Sequence, residues 1–209
     1  MKLLIFGATG SIGRQVVEQA LEQGHTVTAF ARTPAKLDIE HPNLKFFQGD
    51  VMNFSSVEQA VRGQEAVVCT LGSGKKLTGT IRSEGTRQII QAMEQAGIRR
   101  FICQSTLGTG ESWGNLNFYW KYIMFGFLLR KVFVDHERQE RYVQQSNLDW
   151  TIVRPSAFVD GNRTGQYRHG FSSNDKTSQL KITRADVADF ILKQLTDDTY
   201  LGKTPSLSY

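Results

Sequence analysis

The sequence predicts a three-layer α/β fold around a doubly wound, mainly parallel sheet. Three observations predict it. Strand-like and helix-like periods alternate up to residue 104, the pattern of βαβ units. The strands are near-continuous apolar runs, as strands covered by helices on both faces must be. A glycine-rich turn joins the first strand to the first helix.

The elements follow in order. Residues 2–6 form a short apolar strand, and 7–13 the glycine-rich turn. Residues 11–23 read as a helix, with Ile12, Val16, Val17, Ala20 and Leu21 on one face and Gly24 as its stop. Residues 26–31 are β-branched and apolar, a second strand; 44–48 are a third. A short helix follows at 55–62, with Ser55 or Ser56 as its cap. Residues 65–71 are a fourth strand, 80–95 a longer helix closed by Gly97, and 99–104 a fifth strand. Beyond Gly108 the texture changes. Residues 108–117 form a Gly/Ser/Asn loop, 118–134 are dense in aromatics, and 135–145 form a polar helix. Residues 150–154 are a sixth strand stopped by Pro155. Residues 156–178 are too irregular for regular structure, 183–195 form a last helix, and 205–208 an edge strand. No repeat or linker interrupts the chain, so one domain spans 1–209, with a small substrate-covering region from 108–134 and 156–182.

Composition narrows the class. With 209 residues the chain can bury a full core without metal or disulfide. Hydrophobic residues are 40% and charged residues 22%, which excludes collagen-like repeats and long disorder. The longest apolar run, 122–129, falls far short of the roughly 20 residues of a membrane span. The N-terminus opens straight into a strand, so no signal peptide is expected. Lys and Arg number 25 against 20 Asp and Glu, and this scattered excess of +5 forms no tract that points to nucleic acid. Cys69 and Cys103 lie inside apolar runs without metal-ligand spacing, which suits buried thiols in a cytoplasmic protein; no metal site is expected.

The motif that carries chemistry is Gly7-Ala8-Thr9-Gly10-Ser11-Ile12-Gly13. Gly7 permits the tight turn, Gly10 admits a pyrophosphate, and Gly13 lets helix and sheet pack closely. Thr9, Ser11 and Ile12 complete a cradle whose helix N-terminus favours phosphate. An NAD site has an acid at the end of the second strand, but this strand ends Ala31-Arg32-Thr33. Arg32, helped by Lys36, is placed to grip a 2′-phosphate, so NADP(H) is predicted. Asp50 after the third strand can accept from an adenine amino group while Val51 packs the ring. Leu71, Gly72 and Ser73 end the fourth strand at the ligand edge of the sheet, and Ser105 and Thr106 end the fifth where a nicotinamide reaches. Arg154 and Pro155 close the sixth strand there. Pro155 is assigned to the cofactor, and Arg154 either binds an acidic substrate group or caps the sheet.

These residues resemble the NmrA-like branch of the atypical short-chain dehydrogenase/reductases, and within it the NADPH-dependent flavin and biliverdin-IXβ reductases. The likeness runs through Gly7 to Gly13, Arg32, Gly49-Asp50-Val51, Ser83-Glu84-Gly85, Ser105, Asp135-His136-Glu137-Arg138 and 146–155. It implies a Rossmann fold and hydride transfer from NADPH to a planar conjugated acceptor, flavin first, then biliverdin or quinone, with flavin a substrate rather than a prosthetic group. The family's active-site serine falls on Ser105. Its active-site histidine falls on Ala157, a departure that bears on biliverdin specificity. Many relatives in the wider branch carry a lysine where this chain has His136, a group that can donate to substrate and titrate near neutral pH. The acceptor contacts expected are Thr106, Leu107, Trp113, Arg154, Ala157 and Phe158.

Tyr-x-x-x-Lys is absent: Ile123 follows Tyr119 at the fourth position and Gly126 follows Tyr122. Carbonyl reduction of that type is therefore disfavoured. The aromatic stretch 118–134 is a lid over a planar ligand, a buried helix face, or a patch for a partner or membrane surface. The competing reading of the whole chain is a non-enzymatic NADP(H)-binding redox sensor or assembly factor. A monomer or weak dimer is expected.

Overall fold

The computed structural model describes residues 1–72 and 79–209. Ten strands and five α-helices are defined among them. β1 (Lys2–Phe6), β2 (Thr26–Ala31), β3 (Leu44–Gln48), β4 (Ala66–Cys69), β5 (Arg100–Gln104), β6 (Asp149–Pro155), β8 (Arg168–His169) and β10 (Ser206–Ser208) form one sheet in the order β3-β2-β1-β4-β5-β6-β10-β8. All its pairings are parallel except β10 with β8. β7 (Ala157–Val159) and β9 (Lys181–Thr183) make a small parallel pair beside it. The strand order reverses between β1 and β4, where open α/β sheets bind ligands.

Helices cover both faces. α1 (Ser11–Glu22) and α5 (Arg184–Lys193) pack together over one; α2 (Phe54–Val61), α3 (Ile81–Ala96) and α4 (Arg130–Gln144) cover the other. Ile12, Val16, Val17, Ala20 and Leu21 are all buried, as the helical spacing requires. β4 and β5 are buried throughout except at the ends of β5, in keeping with continuous apolar runs. Cys69 and Cys103 face each other in register on β4 and β5, fully buried and free.

Several local expectations are corrected. α2 is capped by Asn53, whose side chain accepts from the Ser56 N–H, so neither Ser55 nor Ser56 is the cap. α4 begins at Arg130, because the aromatic stretch feeds straight into it. Residues 110–115 form a 3₁₀ turn, and Tyr119–Leu128 form a π-helix whose wide turns are closed by bonds such as Leu129 N–H to Met124 C=O at 2.6 Å. Within 156–178, β7 and β8 are strands, too short to show a period. Thr183 ends β9 and caps α5 by accepting from Asp186 N–H. β10 is an inner strand, flanked by β6 and β8.

Candidate functional site

The first cavity is a groove of about 500 Å³ over the carboxyl ends of β1 to β4. Gly7, Thr9, Gly10, Ser11, Ile12, Arg32, Asp50, Val51, Leu71 and Gly72 line it. Gly7 sits at φ +78°, and a Cβ there would lie 2.5 Å from the Thr70 carbonyl oxygen. A Cβ on Gly13 would lie 2.1 Å from the Gly7 carbonyl oxygen, so Gly13 brings α1 against the loop rather than lining the groove. No side chain caps α1 and no acid lies in its first turn, which leaves its N-terminus to an anion. These features fit a dinucleotide pyrophosphate.

Arg32 is exposed at the end of β2, without an acidic partner among the described residues. Asp50 is exposed too, one oxygen accepting the Met52 N–H at 3.0 Å, while Val51 is buried beneath. Lys36 is exposed on a 3₁₀ turn, Pro34–Leu37, and is not on the groove wall. Ser73 lies outside the described residues.

A second cavity of about 370 Å³ continues from the groove, sharing Arg82, Gln104 and Phe158 as walls. Ser105, Thr106, Leu107, His136, Pro155 and Ala157 line it, together with Leu116, Trp120, Phe125, Leu129 and Val132. The Ser105 hydroxyl, Gln104 Oε1, Ser156 Oγ and two nitrogens of Arg82 are buried without a hydrogen-bond partner among the described residues. Such atoms ordinarily find one; Arg82 and Gln104 belong to residues lining both cavities, and Ser105 and Ser156 to residues lining the second.

Three expectations fail here. Arg154 does not reach the cavity: it is 1% exposed and clamped by Glu140 (Nε 3.0 Å, Nη2 2.7 Å) and Glu111 (2.6 Å). Two carboxylates hold it away from both cavities, so it serves the fold there and not a substrate. Trp113 packs on Phe133 with ring centroids 5.5 Å apart and is not among the walls. His136 lines the cavity but is buried, its Nδ1 3.2 Å from Gln139 Oε1. Burial first, then the Arg82 charge, depresses its pKa to about 3, so it is a neutral imidazole and not a group titrating near pH 7.

The residue that sequence reasoning missed is Arg82. It sits in the first turn of α3, where it reads as an ordinary solvent-facing helix residue. Its side chain is instead mostly buried where the two cavities meet, 4.0 Å from Asp135. Burial pulls its pKa down, and Asp135 opposes that. Only the fold brings the start of α3 to the ends of β1 and β5.

The family described as NAD(P)H-binding matches residues 7–198. Photosystem II assembly factor Ycf39 of Synechocystis is 27% identical over 215 residues, covering 98% of this chain; the chain spans 61% of that relative's length. Among solved structures, the oxidoreductase ylbE of Lactococcus lactis superposes with a TM-score of 0.83 at 26% identity, covering 100% of this chain and 90% of that one. ChuY of Escherichia coli O157:H7, described as an anaerobillin reductase, superposes with a TM-score of 0.79 at 28% identity, covering 100% and 97%. With its glycine cradle, doubly wound sheet and groove at the strand-order reversal, the chain belongs to the NAD(P)H-binding family, as an NmrA-like, atypical short-chain dehydrogenase/reductase.

Proposed function

We propose that the protein is an NADPH-dependent reductase of a planar conjugated acceptor, with flavin (FMN, FAD or riboflavin) the leading substrate and biliverdin or a quinone behind it. One observation carries the reading: a polar dinucleotide groove runs into an apolar, aromatic-walled cavity, and unpaired polar atoms stand at the junction. The α1 N-terminus holds the pyrophosphate, Arg32 the 2′-phosphate, and Asp50 with Val51 the adenine. Bound NADPH supplies the hydride. Ser105 holds the nicotinamide amide or gives the acceptor its proton, and Trp120 and Phe125 pack the acceptor ring and exclude water. The absence of Tyr-x-x-x-Lys and the presence of Ala157 leave stacking and Ser105 as the chain's means of orienting the acceptor, which suits flavin better than biliverdin. One domain over 1–209, with a covering region from 108–134 and 156–182, is part of this reading, as are a cytoplasmic location and a monomer or weak dimer. The reductase ChuY supports it by likeness.

The test is NADPH oxidation by the pure protein with FMN, biliverdin and a soluble quinone, beside Arg32→Ala. Acceptor-dependent turnover is expected. The variant should lose about tenfold to a hundredfold in NADPH affinity, the worth of a charge-assisted contact, with NADH little changed. Tight NADPH binding with no turnover on any acceptor overturns the enzyme reading.

A second reading is favoured by a specific observation. Phe118, Tyr119, Tyr122, Phe127 and Leu128 are exposed. Near-complete burial of this stretch would have excluded a non-enzymatic sensor or assembly role, and it is not buried. The likeness to an assembly factor points the same way. Under that reading NADP(H) sets the conformation and the aromatic face does the work.

A further inference from the structure

The π-helix has two faces with different company. Inward, Trp120 and Phe125 pack with Phe133 and wall the acceptor cavity. Outward, Phe127 is 80% exposed, Phe118 71%, Tyr122 61% and Leu128 57%. Single exposed apolar residues are ordinary; a contiguous set on one short helix marks a contact surface. Its charge is one-sided. Between Glu111 and Asp135 the chain has no acid, while Lys121, Arg130 and Lys131 flank the apolar face. None of the three has an ion-pair partner among the described residues.

We propose that this face docks the protein on an anionic lipid bilayer, the aromatic side chains entering the boundary between headgroups and acyl chains. The charges choose among occupants. A second copy meeting through the same face would bring Lys121, Arg130 and Lys131 against one another, with no acid in the stretch 112–134 to offset them. A negatively charged surface is complementary to all three at once. Phe127 stands nearly free, 80% exposed, and a fluid boundary needs no matching cleft. Tyr and Phe beside Lys and Arg are also the residues that sit well at headgroup depth. No helix among the described residues is long and apolar enough to cross a membrane, so the element lies in the interface plane.

Docking stands independently of the reductase reading. Its consequence for the substrate rests on that reading: the inner face of the docked helix walls the acceptor cavity, so docking raises the lipid-soluble quinone above the flavins among the acceptors proposed.

The test is flotation of the full chain with vesicles of phosphatidylcholine alone and with added phosphatidylserine, at low and high salt. Binding to the anionic vesicles is expected, weakened by salt and weak on neutral ones. Arg130→Gln with Lys131→Gln should lower the partition about thirtyfold. Phe127→Ser with Leu128→Ser should abolish it, with melting temperature and NADPH binding unchanged as the check on folding. Three results overturn the proposal: no flotation with either vesicle, flotation indifferent to these variants, or a wild-type dimer that Phe127→Ser with Leu128→Ser converts to monomer. Flotation without turnover on any acceptor leaves docking standing and removes the reductase reading; turnover without flotation does the reverse.

Discussion

Asp135 on α4 caps α3 through Ser83. The Ser83 hydroxyl donates to its carboxylate at 2.5 Å and the Ser83 N–H at 3.2 Å, and the Arg82 N–H joins them at 3.1 Å. The helix's own Thr80 provides no side-chain cap. A carboxylate from a neighbouring helix thus satisfies donors that the start of α3 leaves open and favours its dipole. It also holds the turn that aims Arg82 at the junction of the two cavities. The Ser-Glu-Gly and Asp-His-x-Arg stretches, far apart in sequence, are two halves of one joint.

Asp135→Ala should therefore lower stability by about 1–3 kcal/mol, the cost of orphaning buried donors. The NADPH dissociation constant should rise as Arg82 loses its partner. Denaturant unfolding and NADPH titration read the two effects separately. Asp135→Asn, which keeps an acceptor but not the charge, should fall between.

Ser105→Ala should leave stability unchanged or slightly raised, because the buried hydroxyl forms no hydrogen bond among the described residues and its loss removes an unpaired polar atom. Acceptor turnover should fall at least tenfold. A clear loss of melting temperature together with normal turnover would show that the hydroxyl serves the fold and not the site.

His136 is neutral in the folded chain, with its pKa down at about 3 against an ordinary 6.5. The unfolded chain takes the proton first. Its contribution to stability is whole above pH 6.5 and is lost as pH falls from 6.5 toward 3, at about 1.4 kcal/mol per unit. His136→Asn, which keeps a donor toward Gln139, removes that slope. Urea unfolding of both proteins at pH 7 and pH 4.5 isolates the difference, since the other titrating groups are common to both. Parallel pH profiles would refute the burial argument.

Arg154→Ala should be severe, costing about 3–5 kcal/mol, because Glu140 would stay buried without its cation. Replacing Arg154 and Glu140 together by Met should recover much of that loss. Glu111, whose side chain is 65% exposed, should contribute under about 1 kcal/mol on its own.

The first half of the fold was legible because β1, β2, β4 and β5 are largely apolar runs and because α1 carries a clean helical face; β3, with Lys45 and Gln48 and no buried residue, is an edge strand and departs from that pattern. The groove was legible for the same reason: Gly7 to Gly13 and Arg32 are local signals. What stayed hidden depends on distant partners. Arg154 at a strand end looks the same whether it meets a substrate or Glu140, fourteen residues earlier. His136 gave no sign of burial, because its cover comes from other elements. Arg82 and Asp135 acquire meaning only when α3 and α4 pack. The π-helix and the two-residue β8 have no period long enough to read.

The register that sets Cys69 beside Cys103 at the centre of the sheet makes the two thiols chemically silent in the folded state. Burial pushes the Cys103 thiol up, and although a hydrogen bond with Cys103 draws the Cys69 thiol down toward the thiolate, full burial keeps both out of a reagent's reach. A thiol reagent can modify them only in molecules whose β4 and β5 have parted from the covering helices. The labelling rate is thus a clock for the rarest opening of the molecule, needing no engineered probe. Because the groove spans the ends of the same strands, a bound dinucleotide should slow that clock in proportion to its concentration over its dissociation constant.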